Sequence, residues 1–139
     1  MKSIIESLQK ISTIEELAEI EKKENKTSGS LLIEIKPKNA YGHESIFIIE
    51  HYDHVTLSFD YYERIFRVRE NPHKEMFEEV VSLVKKILDE DLISVTTYSY
   101  DINLSKVSNL DTPSELKRRS RRKNFRSRSW LGTYDDDCV

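Results

Sequence analysis

Three groups of residues in this chain could do chemistry. The first is His51-Tyr52-Asp53-His54, which sets two imidazoles and a carboxylate within four residues, the side chains that ligate zinc or pass protons. Two histidines three apart across a turn between strands have no shared direction, and the HExxH helix that would aim them at a metal is missing. The second is the run Lys117 to Arg128, KRRSRRKNFRSR, with eight cations in twelve residues and Trp130 close behind. Phosphate contacts need only charge and reach, so in isolation this run suits a nucleic-acid backbone. The third is a set of tyrosines beside carboxylates: Tyr52 with Asp53, then Tyr61 and Tyr62 between Asp60 and Glu63, and Tyr134 beside Asp135. Tyrosine buries area at low entropy cost, and acids meet a basic partner, so these residues suit a protein interface.

Catalytic signatures are missing. There is no GxSxG elbow and no CxxC, and three glycines could hardly build a phosphate-cradling loop. The expectation is a protein that is not an enzyme, with no catalytic residue, no metal and no cofactor.

The elements that must position these groups are read from periodicity. Ile4, Ile5, Leu8 and Ile11 recur at helical intervals, and Ile14, Leu17, Ala18 and Ile20 restart the pattern behind a Thr13/Glu16 capping box, predicting helices over 2–25 with a bend at Ser12. From residue 31 the period becomes two, with Leu31, Ile33 and Ile35 alternating against Leu32, Glu34 and Lys36 until Pro37. ESIFIIEH, HVTLSFDYY and ERIFRVRE follow over short joins, so a four-stranded antiparallel meander is the economical topology. Met76, Phe77, Val80, Val81, Val84, Ile87 and Leu88 then form one helical stripe. LISVTTYSYDI reads as a fifth strand, LSKVSNLD as a connector, and Thr112-Pro113-Ser114-Glu115 as a capped helix start leading into the basic run. RSRSWLGTY closes the chain as a last strand with Trp130 and Tyr134 on one side. The predicted fold is α+β: an antiparallel meander of about five to six strands with helices mainly on one face, as a single domain over 1–139 whose sheet and central helix span 30–104 and whose basic helix and last strand span 112–135.

Charge is segregated along this layout. Residues 1–116 hold 14 Lys and Arg against 22 Asp and Glu, a balance of −8, whereas 117–128 contribute +8 and Asp135 to Asp137 return −3. An acidic body repels phosphate, and a basic island can be drawn back onto its own body. The N-terminus lacks the apolar core of a signal peptide, no stretch approaches the ~20 apolar residues of a membrane span, and a lone Cys138 forms no internal disulfide, so a cytoplasmic protein is expected with no membrane partner.

Short helices, a meander containing HVTLSFDYYERIFRV, the amphipathic MFEEVVSLVKKILDED, then LISVTTYSY and a closing RSRSWLGTYDD resemble the small immunity proteins that bacteria carry beside polymorphic or contact-dependent toxins. The resemblance implies a non-enzymatic inhibitor that binds a cognate toxin C-terminal domain, a nuclease among the candidates, and occludes its active site. Asp53, Asp60, Tyr61, Tyr62 and Glu63 are then the expected docking face, with Trp130, Tyr134 and Asp135 as a second. The alternative is a small nucleic-acid-binding protein using Arg118, Arg119, Arg121, Arg122, Lys123 and Arg126.

Overall fold

In the computed structural model, residues 4–11, 14–38, 44–67, 73–99, 105–119 and 125–138 are described. Five strands, β1 (Ala18–Asn25), β2 (Ser30–Pro37), β3 (Ile46–Glu50), β4 (His54–Phe59) and β5 (Tyr62–Arg67), form one antiparallel meander in sequence order. A second sheet, ordered β7-β6-β8-β9, is built from β6 (Ile93–Ser99), β7 (Ser105–Asp111), β8 (Phe125–Arg128) and β9 (Asp136–Cys138). The helices are α1 (Ile4–Gln9), α2 (Ile14–Leu17), α3 (His73–Leu88) and α4 (Pro113–Arg119). The fold is thus α+β as expected, with its strands divided between two sheets instead of gathered in one.

Alternation in the first sheet explains its core. Ile33 and Ile35 on β2 stand opposite Ile48 and Ile46 on β3, which stand opposite Leu57 and Phe59 on β4. All six are fully buried. Over them lies the stripe of α3, with Met76, Phe77, Val80, Val84, Ile87 and Leu88 buried, while Ile4 and Leu8 of α1 complete the cluster. At roughly 1.5–3 kcal/mol for each large apolar side chain removed from water, this face supplies most of the driving force for folding. Helix α3 stops in a Schellman turn: Asp91 N–H donates to the Lys86 carbonyl and Glu90 N–H to that of Ile87, with Glu90 in the left-handed region at φ 58°.

Three predicted elements change. The helix expected to run to residue 25 ends at Leu17, and Ala18–Asn25 is an edge strand. Glu and Lys favour helix, but Ile20 pairs with Ile35, and Asn25 folds the chain back by accepting the N–H groups of Thr27 and Ser28 through its side-chain oxygen, ahead of Gly29 at φ 70°. Tertiary pairing overrides a weak local preference. The Thr13/Glu16 capping box falls on Thr13, outside the described residues. The connector read over LSKVSNLD is strand β7, tied to β6 partly through the Thr96 and Ser108 hydroxyls 2.9 Å apart.

The closing segment is two short strands around a knotted turn, not one strand. Ser129 N–H donates to the Asp135 carboxylate at 2.7 Å, Tyr134 N–H to the Ser129 hydroxyl at 2.9 Å, and the Ser127 hydroxyl to the Tyr134 carbonyl at 2.6 Å. Trp130 and Tyr134 consequently part company: Trp130 is buried in the main core beside Phe59, whereas Tyr134 packs on a smaller cluster of Ile93, Val95, Leu116 and Phe125. The Trp130 indole N–H donates to the Leu17 carbonyl at 3.1 Å, where α2 becomes β1, and the same carbonyl accepts from the Lys38 N–H.

Candidate functional site

The period of two decides where the charges of the basic run go. On β8, Phe125 and Ser127 point to the small core under α4, so Arg126 and Arg128 point the other way, and Arg126 faces the first sheet. Arg126 reaches the β4–β5 turn, where its guanidinium lies 3.1 Å from Asp60, 3.1 Å from Glu44 and 4.7 Å from the centre of the Tyr61 ring. Asp60 also accepts a hydrogen bond from the Ser94 hydroxyl at 3.2 Å, and only 2% of its side chain is exposed. Burial works against the charge of Arg126, but the carboxylates of Asp60 and Glu44 outweigh it and hold the guanidinium more firmly protonated than usual. Arg128 pairs with Asp137 at 2.8 Å. Arg119 pairs with Asp111, which is almost wholly buried. Ser94 and Thr96 on the same face of the second sheet are fully buried. The two sheets therefore meet across a polar, ion-paired seam.

The residues expected to dock or to grip phosphate are accordingly dispersed. Asp60 and Tyr61, assigned to a docking face, and Arg126, assigned to nucleic acid, bind one another. Asp53 sits in the β3–β4 turn at the opposite end of β4, roughly 20 Å from Asp60 at the rise of an extended strand. Tyr62 points inward and packs against the main core, while Glu63 is exposed on the other face. Trp130 is inside the protein, and Tyr134 and Asp135 line a separate cleft beside α4. Arg118 is exposed on α4; Arg121, Arg122 and Lys123 lie outside the described residues.

His51 and His54 stack at the β3–β4 turn with ring centres 4.3 Å apart, and His54 Nδ1 is 2.6 Å from the Asp53 carboxylate. The hydrogen bond to His54 holds the Asp53 carboxyl below its ordinary range. Among the described residues, no group of three His, Cys, Asp or Glu side chains is placed to hold a metal ion.

What sequence reasoning missed is the outer face of the first sheet. No described helix packs there: α1 and α3 lie over the inner face, and α4 lies on β6 and β7. Pairing across the strands aligns Leu32, Ile49, Thr56 and Ile65 in one row. The adjoining row reads Glu21, Glu34, Phe47, Ser58 and Glu63. Phe47 is 38% exposed and Ile65 45% exposed, with Leu32 and Ile49 half-buried between strands. Lys23 extends the first row and Lys36 pairs with Glu21 at 2.9 Å, so the acids beside the apolar row that lack an ion pair among the described residues are Glu34 and Glu63; an apolar row edged by charged side chains on a face that no described helix covers is the composition of a protein-binding surface. Its signal in the sequence was present only strand by strand, in the outward positions of the alternation, and becomes a surface once register is known.

Comparison with protein families, with curated proteins and with solved structures finds no match to this chain. No helix among the described residues is long and apolar enough to cross a membrane.

Proposed function

We propose that this protein is a non-catalytic binding module that lays the outer face of its first sheet on a basic protein partner and blocks that partner's working surface, in the manner of an immunity protein that occludes a bacterial toxin domain. The single observation that carries this reading is the row of Leu32, Ile49 and Ile65, half-buried to exposed, with exposed Phe47 beside it and Glu34 and Glu63 in the adjoining row. Apolar anchors give a partner area to bury, while the acids steer a cationic surface toward them and fix its orientation. A toxin nuclease domain fits because a surface that holds phosphate is basic. Within the positive run, Arg119, Arg126 and Arg128 are paired with carboxylates of the protein itself, so these three cations oppose such docking less than free ones would.

The experiment is a protection assay with the toxin domain encoded next to this gene. Cells producing that domain survive when the wild-type chain is co-expressed, and Phe47→Asp combined with Ile65→Asp abolishes survival while circular dichroism and melting stay near wild type. Full protection by the folded double variant contradicts the reading.

A further inference from the structure

The apolar row of the outer face has a neighbour on each side. Glu34, Phe47 and Glu63 lie on one; His51, His54 and Arg67 lie on the other, two residues further along their strands, or roughly 7 Å away. The β3–β4 turn dictates this placement. The His51 N–H donates to the His54 carbonyl at 2.9 Å, closing a tight turn around Tyr52 and Asp53 and setting the two histidines opposite one another, next to the Glu50 and Val55 pair. Glu50 and Val55 face inward with Ile48 and Leu57, so His51 and His54 face outward with Ile49 and Thr56. Their rings stack with centres 4.3 Å apart, and both residues are half-buried. The charged groups that face the pair are few. Asp53 meets His54 Nδ1 from the turn at 2.6 Å, and Arg67 stands across from His54 on β5. On the β2 side Ser30, level with His51, carries no charge, and Tyr52 at the turn's tip is 90% exposed. Asp53 and Arg67 offset one another, so among the described residues the net charge at this end of the face follows the two imidazoles.

We propose that His51 and His54 make docking on the outer face sensitive to pH: neutral imidazoles admit a basic partner and protonated ones repel it. The inference rests on the docking reading above and adds its control. Histidine is the side chain whose charge changes between pH 5 and 8. Each proton gained sets a positive charge beside Ile49 and Thr56, against the cationic surface that Glu34 and Glu63 attract, and two charged rings at stacking distance also repel one another. The complex therefore disfavours protons that the free protein accepts. Its formation releases them, and affinity falls as pH falls through the imidazole range.

The test is calorimetric titration of the intact protein with the toxin domain encoded next to this gene, at about pH 7.5 and about pH 5.5, for wild type and for His51→Gln combined with His54→Gln. The loss of affinity between the two conditions is about tenfold greater for wild type than for the double variant, the comparison removing whatever the partner itself titrates. In wild type alone, the Cε1–H resonances of His51 and His54 titrate at lower pH in the complex than in the free protein. An equal loss of affinity in both proteins, or imidazole titrations unmoved by the partner, overturns the inference and leaves docking intact. No complex with wild type at the higher pH overturns the docking reading and this inference with it.

Discussion

The seam between the sheets and the outer face of the first sheet invert the usual placement of residues. At the seam, Ser94, Thr96 and the Asp60 side chain are polar and buried, with Arg126 partly buried beside them; on the outer face, Phe47 and Ile65 are apolar and exposed. Both departures are informative, because a buried ion pair must be satisfied to be tolerated and an exposed apolar row has no reason to persist in isolation. The contrast separates charge used for architecture from apolar surface that no described helix covers. A run of eight cations that reads as a phosphate grip contributes Arg126 and Arg128 to internal pairs, while the less conspicuous strands β2 to β5 carry the face open to docking.

The largest way to break the contrast is to empty the joint behind the seam. Trp130→Ala removes the indole that packs on Phe59 and ties the turn to Leu17, and should lower stability by about 3–5 kcal/mol in urea unfolding. Next is Arg126→Met, which leaves Asp60 buried beside an apolar side chain; a loss of about 3 kcal/mol is expected, toward the lower end for broken buried pairs because the seam has some access to water. A loss below about 0.5 kcal/mol would show that the seam is not held by this pair.

How much of this was legible depended on distance along the chain. The stripe of α3 and the alternation of β2 to β5 are local periodicities, and both are found. So is the helix start at Thr112, where the Thr112 N–H donates to Glu115 and the Glu115 N–H donates back to the Thr112 hydroxyl. Strands β1 and β7 were hidden because each offers only two strongly apolar residues amid charged or polar ones, Ile20 with Ala18 and Val107 with Leu110, too few to show a period. Arg126 and Asp60 lie far apart in sequence, and nothing near either residue announces that they meet. The expected docking residues are sequence neighbours, but a strand sends neighbours to opposite faces and its two ends far apart, which divides Asp53 from Asp60 and Tyr62 from Glu63.

Smaller effects sharpen the contrast. Thr112→Ala removes the cap of α4 and should cost about 1 kcal/mol, read as a lower urea midpoint with an unchanged slope. Phe47→Ser and Ile65→Ser, singly, should each change stability by less than about 0.5 kcal/mol, since these side chains are already half in water. The smallest effect concerns pH. Asp53 has its carboxyl pKa depressed by His54, so its favourable contribution is present above the ordinary carboxylate range and is lost as pH falls through the lowered value. Because Asp53 is exposed, the effect is best followed by its carboxyl resonance: titration occurs below the usual range in wild type and returns to it in His54→Ala.

The central claim is that the seam holds the protein together and the outer face of the first sheet holds its partner. The most direct measurement compares Arg126→Met with Phe47→Asp/Ile65→Asp, each by thermal melting and by calorimetric titration of the toxin domain below the melting temperature of both. Arg126→Met should melt well below wild type yet bind with near wild-type affinity, and the double variant should melt near wild type yet lose binding at least a hundredfold, as for removal of central anchors. The opposite crossing, binding lost with Arg126 and kept without Phe47 and Ile65, would contradict the account.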